Sequence, residues 1–216
     1  MTPDAIAQAA ARNRANRLAQ IERLTPMRAD ARAKAEAFRS AQTGARTAQE
    51  TLDLMRTLSH VPGFFPTPRE VIARMIERAG LRAGETVLEP SAGKGDLIKS
   101  ALACGAVVQG YELNHTLAEY CRKQGYSVTS GDFLTVEPLP MFDVVLMNPP
   151  FERRADEKHI RHAARFLRPD GRLIAVACST TGSRLAFEFD VELLPAGSFS
   201  KADRCTNVNT CLVVKQ

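Results

Sequence analysis

Four residues that follow an apolar run have the types and the order needed to hold a planar amine. The run Phe142–Met147 predicts a buried strand, and ligands of open α/β sheets bind where the strands end. Directly after it, the side-chain oxygen of Asn148 and the carbonyl of Pro149 can each accept one amine hydrogen, and Pro150 restricts the direction of that carbonyl. Phe151 offers a face on which a flat ring can stack. A proline-rich turn that only caps the strand is the alternative interpretation.

A glycine-containing loop lies upstream of this motif. Residues Thr86–Glu89 predict a short buried strand, and Pro90–Asp96 follows it into a helical pattern over Leu97–Cys104. Gly93 and Gly95 allow the backbone of this loop to approach a ligand closely. The loop therefore predicts a second ligand-binding segment at a strand end.

Lys94, between the two glycines, suggests a loop that binds nucleoside triphosphates. Such a loop needs a glycine five residues before Gly93, where Leu88 stands, and a Ser or Thr where Gly95 stands. The sequence therefore excludes a triphosphate loop.

Acidic residues follow the next two predicted strands. The strand Ala106–Tyr111 ends at Glu112, which lies 23 residues after Glu89. This separation is close to the offset of about 20 residues at which an acidic residue meets a ribose diol. The strand Tyr126–Thr129 leads to Asp132. Each acid taken alone is more often a solvated loop carboxylate, so their order along the chain is what indicates a site.

In this order, the motifs resemble those of class I S-adenosylmethionine-dependent methyltransferases that methylate the N(6) amine of adenine. Asn-Pro-Pro-Phe is similar to their catalytic motif, and the Glu-Pro-Ser-Ala-Gly loop is more similar to the DNA adenine methyltransferases of restriction, phage and plasmid systems. The resemblance covers roughly residues 61–216. It implies S-adenosyl-L-methionine as the cofactor and direct transfer of its methyl group to adenine N(6) in DNA.

The resemblance also implies roles for single residues. Glu89 faces the amino-acid part of the cofactor and Glu112 holds its ribose. Asp132 accepts a hydrogen bond from the adenine amino group of the cofactor, while Phe133 packs on that ring. The segment Phe64–Pro68 closes over the methionine end. The expected cofactor-binding residues are Phe65, Pro66, Thr67, Glu89, Pro90, Ser91, Ala92, Gly93, Gly95, Asp96, Glu112, Leu113, Asp132, Phe133 and Asn148. The expected catalytic residues are Asn148, Pro149, Pro150 and Phe151.

Substrate contacts are expected directly after the strand end. A base in a duplex must leave the stack before its amine can react, and Phe151 would then stack on it. Arg153 and Arg154 are expected to contact phosphates or flanking nucleotides. Three further arginines are expected to share a solvent-facing side of a predicted helix over Asp156–Arg168: Arg161, Arg165 and Arg168.

The remaining pattern completes an α/β fold. Strands alternate with helices, including a helix over Arg69–Ala79, which predicts a doubly wound, Rossmann-like parallel sheet. Gly171–Cys178 predicts a fifth strand, and Phe187–Leu194 with Val208–Lys215 predicts a terminal hairpin. The resemblance to class I methyltransferases implies seven strands, with the last one antiparallel beside the fifth.

We expect two parts in the chain: a helical N-terminal extension, residues 1–60, and the domain that the resemblance identifies as a methyltransferase, residues 61–216. Residues 1–60 hold 10 Lys or Arg and 6 Asp or Glu, so most of the net charge of +5 belongs to them. Apolar residues at helical spacing, with breaks at Pro26 and Gly44, predict two or three helices there. These helices are expected to bind nucleic-acid phosphates, to form a homodimer, or only to pack on the domain.

Composition excludes several other classes of protein. The sequence has no apolar run long enough for a membrane span and no secretory signal, so we expect a cytoplasmic protein. The cysteines form no Cys-x-x-Cys pair and the histidines have no metal-ligand spacing, so we expect neither a disulfide framework nor a metal site. No Pro-Cys dipeptide is present to carry the covalent chemistry of cytosine carbon-5 methylation.

Three alternatives to DNA adenine methylation stay open. The first is methylation of adenine N(6) in structured RNA, because the chemistry of the amine is the same. The second is methylation of glutamine amides in proteins, although that motif ends in Tyr where this chain has Phe151. The third is a non-catalytic, cofactor-binding partner subunit of another methyltransferase.

Overall fold

The structure is a computed structural model that describes residues 65–199 and 208–216. The helices predicted within residues 1–60 lie outside the described residues, and so does Phe64. Within the described part of the chain, no helix is both long enough and apolar enough to cross a bilayer.

Helices and strands alternate along the described chain. The helices are α1 (Arg69–Ala79), α2 (Asp96–Ala103), α3 (His115–Lys123), α4 (Ala155–Ala164) and α5 (Ser179–Leu185). The strands are β1 (Thr86–Glu89), β2 (Val107–Glu112), β3 (Val128–Ser130), β4 (Phe142–Met147), β5 (Leu167–Cys178), β6 (Asp190–Leu193) and β7 (Thr210–Lys215). Short 3-10 helices cover Phe133–Thr135 and Glu152–Arg154.

The strands form one seven-stranded sheet in the order β3-β2-β1-β4-β5-β7-β6. Every pairing is parallel except those of β7, which runs antiparallel to both β5 and β6. This confirms the predicted doubly wound, Rossmann-like α/β sheet whose last strand is antiparallel beside the fifth. The terminal hairpin is also confirmed, although its first strand begins at Asp190 rather than Phe187.

Helices on both faces explain why the central strands β1, β4 and β5 bury mostly apolar residues. Successive residues of β4 point to opposite faces: Val144 and Leu146 join a cluster with α1, α2 and α3, whereas Val145 and Met147 join a cluster with α4 and α5. This double burial fixes the carboxyl end of β4, and with it the position of Asn148.

The predicted helix Asp156–Arg168 is wrong at its C-terminal end. Helix α4 stops at Ala164, and Leu167 begins β5 because its side chain is buried in the core. Arg168 therefore lies on a strand, where it forms an ion pair with Asp143 of β4. Arg161, Arg165 and Arg168 do not share one solvent-facing side of a helix.

Candidate active site

A cavity of about 510 Å³ lies at the carboxyl ends of β1, β2, β3 and β4. Its size is within the range of small-molecule and cofactor sites. Most of the expected cofactor-binding residues line it: Phe65, Pro66, Thr67, Pro90, Ser91, Ala92, Gly93, Asp96, Glu112, Leu113, Asp132, Phe133 and Asn148. The expected catalytic residues Pro149, Pro150 and Phe151 line it as well. Four predicted residues do not: Glu89, Gly95, Arg153 and Arg154.

The glycine loop takes a left-handed conformation, which glycine adopts at the least cost, at two positions. Gly93 and Gly95 have φ angles of 54° and 83°, in the left-handed region. A Cβ atom on Gly95 would lie 2.7 Å from the ring of Tyr126. Gly95 therefore shapes the loop from outside the cavity, and α2 starts at the next residue.

Glu112 ties this loop to the end of β2. One carboxylate oxygen accepts from the Gly93 N–H at 2.7 Å and the other from the Asn114 N–H at 2.8 Å. Burial raises the pKa of Glu112, while these backbone hydrogen bonds lower it. Each oxygen keeps a further lone pair, so the predicted contact with ribose hydroxyls is compatible with both bonds.

Glu89 lies beneath the loop rather than in the cavity wall. Its side chain is 1% exposed, and its Oε1 accepts from the Ser91 N–H at 3.2 Å. Its Oε2 is buried without a hydrogen-bond partner among the described residues. Burial raises the pKa of Glu89 well above its usual value, and the nearby Glu112 adds to the rise.

The wall below β3 is aromatic. Asp132 accepts from the Leu134 N–H at 2.9 Å, and Phe133 packs at ring-centroid distances of 5.5 Å from Tyr111 and 4.9 Å from His162. His159 also lines the cavity, and its Nδ1 is buried without a partner in the described ranges. Burial lowers the pKa of His159, which favours the neutral imidazole.

Asn148 presents an unsatisfied acceptor. Its Nδ2 donates to the Thr67 hydroxyl oxygen at 2.9 Å and to the Phe65 carbonyl oxygen at 3.3 Å. Its Oδ1 is buried and has no hydrogen-bond partner among the described residues. A buried acceptor without a partner costs about 1–3 kcal/mol, so a ligand that donates to Oδ1 recovers that cost.

Phe151 is half-buried, and a second phenyl ring orients it. The ring of Phe199 lies 6.4 Å away at an interplanar angle of 75°, edge to face. Phe199 is 1% exposed, so its own ring is fixed by packing. Phe151 keeps part of its surface in the cavity.

Arg153 and Arg154 follow the motif with an unusual backbone. Their φ angles are 50° and 60°, in the left-handed region that costs a non-glycine residue energy. Both side chains are exposed outside the cavity, next to Phe151 and Glu152, which line it.

Sequence reasoning missed several cavity residues. They are Lys94, Leu97, Asn114, Leu117, Gly131, Glu152 and His159. Asn114 could have been recognised as a helix N-cap, and its Oδ1 accepts from the Leu117 N–H at 3.1 Å. His159 and the ring partner Phe199 had no local signal, because only the fold brings them to the site.

The donor and acceptor set fits S-adenosylmethionine. Glu112 and Asp132 provide carboxylate acceptors for hydroxyl and amine hydrogens, and the buried Ser91 hydroxyl has no partner in the described residues. Pro90 and Phe133 contribute apolar surface to the cavity wall. These are the groups that a ribose, an adenine and an amino-acid moiety need.

Comparisons with known proteins agree with this fit. Residues 110–192 match the family described as methyltransferase small domain. No curated protein sequence matches the chain.

Solved structures share the fold at low sequence identity. The 23S rRNA methyltransferase ErmE has a TM-score of 0.53 at 23% identity, covering 70% of this chain and 68% of that one. A protein from Vibrio vulnificus, described as the modification subunit of a type I restriction enzyme, has a TM-score of 0.58 at 19% identity, covering 77% of this chain and 47% of that one. A dimethyladenosine transferase from Plasmodium falciparum has a TM-score of 0.53 at 19% identity, covering 70% and 62%.

The chain thus spans about half of the Vibrio protein and somewhat less than two thirds of the Plasmodium enzyme. The sequence match begins within β2 and ends within β6, so it includes the Asn-Pro-Pro-Phe segment. The match, the fold and the cavity together support an S-adenosylmethionine-dependent methyltransferase, with S-adenosylmethionine as its cofactor.

Proposed function

We propose that this protein transfers the methyl group of S-adenosylmethionine to the N(6) amine of adenine in DNA. The observation that carries the proposal is the buried Oδ1 of Asn148, which faces no donor of the described chain. An exocyclic amine is a donor with two hydrogens and therefore complements this oxygen and the neighbouring Pro149 carbonyl.

The cofactor would lie along the ends of β1, β2 and β3. Glu112 would accept from its ribose hydroxyls, Asp132 from its adenine amine, and Phe133 would pack on the adenine ring. Phe65 and Thr67 would cover its methionine end. When bound, S-adenosylmethionine supplies an electrophilic methyl group on a sulfonium sulfur.

The chain's own contribution to the reaction is to position and polarise the target amine. Asn148 Oδ1 and the Pro149 carbonyl each accept one amine hydrogen, which draws the nitrogen lone pair out of conjugation with the ring. Holding two reactants in line supplies about 7–11 kcal/mol of barrier reduction in well-oriented systems. The proton lost from the methylated amine leaves to solvent, so no strong general base is required.

The target base would reach Asn148 through the side of the cavity that Phe151 lines. Phe151 stacks on the extruded base, and the edge-to-face contact with Phe199 keeps its ring oriented. The exposed Arg153 and Arg154 lie next to this entrance in the chain, where they would contact backbone phosphates.

Adenine in structured RNA is the second candidate substrate. The similarity in fold to a 23S rRNA methyltransferase favours it, whereas the similarity to a restriction-enzyme modification subunit favours DNA. The amine chemistry at Asn148 is the same in both cases.

Transfer of a labelled methyl group tests the proposal. The full chain is incubated with labelled S-adenosylmethionine and either unmethylated DNA or RNA, and the nucleic acid is then digested to nucleosides. We expect labelled N(6)-methyladenine from DNA. Label in N(6)-methyladenine from RNA alone would favour the second candidate, and label in any other nucleoside would contradict the assignment. Absence of product with an intact cofactor affinity would indicate a non-catalytic partner subunit.

A further inference from the structure

The amide of Asn148 is held in one orientation by the segment that precedes α1. Both of its acceptors, the Thr67 hydroxyl and the Phe65 carbonyl, bind the same nitrogen, Nδ2. The carbonyl can only accept, so a reversed amide would bring Oδ1 against another acceptor oxygen. The orientation of the amide therefore follows from its partners, and it leaves Oδ1 free for a ligand.

Two prolines preset the backbone that carries these acceptors. Pro66 follows Phe65 and Pro68 follows Thr67, and a residue before proline is restricted to extended conformations. Pro68 itself has φ −60° and ψ 146° and is the N-cap residue of α1. The two acceptors are therefore held on a stiff, extended segment.

Helix α1 fixes this segment relative to the sheet. Val71, Met75 and Ala79 form a buried stripe on α1, and the Arg172 guanidinium of β5 donates to the Ala79 carbonyl at 2.8 Å. Asn148 lies at the end of β4, the neighbour of β5, so the packing of α1 brings residues 81 positions apart within 2.9 Å of each other.

We propose that Thr67 is a positioning residue for methyl transfer, whose hydroxyl, together with the Phe65 carbonyl, holds the Asn148 amide so that Oδ1 faces the reacting amine. The inference rests on the proposed function of Asn148 as an amine acceptor. A reversed amide would offer N–H donors to an amine that is itself a donor, and the amine would not be polarised. Of the two acceptors, the Thr67 hydroxyl makes the shorter bond, and it is the one that a substitution can remove.

A pair of substitutions separates the hydroxyl from the shape of the side chain. Thr67→Val keeps the branched shape and removes the acceptor, whereas Thr67→Ser keeps the acceptor and removes a methyl group. At saturating S-adenosylmethionine and DNA, we expect Thr67→Val to lower the methyl-transfer rate about 2-fold to 12-fold, the equivalent of about 0.5–1.5 kcal/mol for one neutral hydrogen bond. Thr67→Ser should restore most of the rate. A Thr67→Val protein with the wild-type rate, or a Thr67→Ser protein as slow as Thr67→Val, would overturn the inference.

Hydrogen exchange of the Asn148 side chain supplies a readout that does not depend on activity. In the full chain labelled with nitrogen-15 at asparagine, the Asn148 amide signals are identified as those lost in Asn148→Asp. We expect slow exchange with water in the wild type and in Thr67→Ser, and faster exchange in Thr67→Val. Equal exchange in all three proteins would overturn the inference. A wild type that methylates no adenine would contradict the proposed function, and the exchange rates would then still decide the role of Thr67.

Discussion

The two sides of the cavity differ in whether the chain itself makes hydrogen bonds to the groups that are expected to accept from a ligand. On the cofactor side, formed by the ends of β1, β2 and β3, both carboxylate oxygens of Glu112 and one of Asp132 accept backbone hydrogen bonds. On the reaction side, formed by Asn148–Glu152, the Oδ1 of Asn148 has no partner among the described residues. The two carboxylates expected to bind the cofactor are thus oriented by backbone hydrogen bonds, although the Ser91 hydroxyl and the Glu89 Oε2 on this side also have no partner among the described residues. The acceptor expected at the reacting amine, in contrast, needs a donor from outside.

Backbone strain follows the same division. The left-handed positions of the cofactor-side loop are glycines, which adopt them at little cost. Directly after the reaction side, the left-handed residues are Arg153 and Arg154, and such conformations cost of order 1–3 kcal/mol each. Strained residues therefore follow the unsatisfied acceptor closely in the chain, just outside the cavity, and strain of this kind clusters at functional sites.

The largest effect is expected at Asn148. Asn148→Ala removes a preorganised hydrogen-bond acceptor at the reacting centre, and such losses lower turnover about 100-fold to 1,000-fold. Single-turnover transfer of labelled methyl groups to DNA measures the effect. Asn209→Ala, at an exposed asparagine outside the cavity, is the matched control and should keep the wild-type rate. Full activity of Asn148→Ala would exclude Asn148 from the chemistry.

Phe151 should act on substrate binding rather than on the cofactor. Stacking of a base on an aromatic ring is worth about 1–3 kcal/mol, so Phe151→Ala should raise the KM for nucleic acid about 5-fold to 150-fold. Steady-state kinetics with varied DNA at saturating cofactor checks this. Phe187→Ala, at a ring that is 95% exposed outside the cavity, should leave the KM unchanged. An equal change in both variants would show that the assay reports general surface hydrophobicity.

Substitutions on the cofactor side should change the affinity for S-adenosylmethionine. Glu112→Ala and Asp132→Ala each remove an expected hydrogen-bond acceptor and should weaken S-adenosylmethionine binding by about 1–3 kcal/mol. Calorimetric titration of the full chain gives the affinity. Glu119→Ala, at an exposed carboxylate of α3, is the control and should bind like the wild type. Unchanged affinity in both site variants would show that neither Glu112 nor Asp132 binds S-adenosylmethionine.

Glu89 should make the free energy of unfolding fall as pH rises, whereas an ion-paired surface carboxylate makes it fall as pH decreases. Burial raises its folded-state pKa above the usual 4.5, so its stabilising contribution is present below that value and is lost as pH rises through the folded-state pKa. The Glu89→Gln side chain cannot ionise. The Tm of this variant, relative to that of the wild type, should therefore increase as pH rises from about 4 to 8. Thermal unfolding across this range is the measurement.

The control for Glu89 is Glu119. Its pKa is lowered by the hydrogen bond to Lys123, so its contribution is present at higher pH and is lost as pH falls through the folded-state pKa. The Tm of Glu119→Gln, relative to that of the wild type, should therefore not increase at high pH. A Glu89→Gln protein that follows the wild type at every pH would mean that Glu89 is solvated.

The smallest effect is expected at the strained arginines. Arg153→Gly removes a left-handed non-glycine residue, which costs about 1–2 kcal/mol, and adds backbone entropy of about 0.5–1 kcal/mol to the unfolded chain. The net result should be a slightly higher free energy of unfolding, measured with denaturant. Lys158→Gly, within α4, should instead lower stability by about 1 kcal/mol. Equal losses in both proteins would show that Arg153 is not strained.

The local sequence pattern was enough to predict the sheet and the residues at the ends of its strands. Phe142–Met147 is apolar at every position except Asp143, and Arg69–Ala79 lies between Pro68 and Gly80, so both elements have their predicted bounds. The start of β5 was missed because Pro169 and Gly171 interrupt its apolar pattern.

Contacts across the sheet could not be predicted in this way. The bond between Thr67 and Asn148 joins residues 81 positions apart, and the ring of Phe199 reaches Phe151 from beyond β6. Glu89 and Glu112 both follow the pattern of an acid at a strand end, yet only Glu112 lines the cavity. Which of two similar acids is exposed to a ligand depends on the path of the loop above it, which local sequence does not specify.

The most direct test of the division between the two sides is calorimetric titration of S-adenosylmethionine into Asn148→Ala and Glu112→Ala, prepared in parallel. We predict that Asn148→Ala binds the cofactor with wild-type affinity although its turnover is lost, and that Glu112→Ala binds it more weakly. If Asn148→Ala loses as much cofactor affinity as Glu112→Ala, cofactor binding and amine polarisation are not assigned to separate sides of the cavity, and the proposed division is wrong.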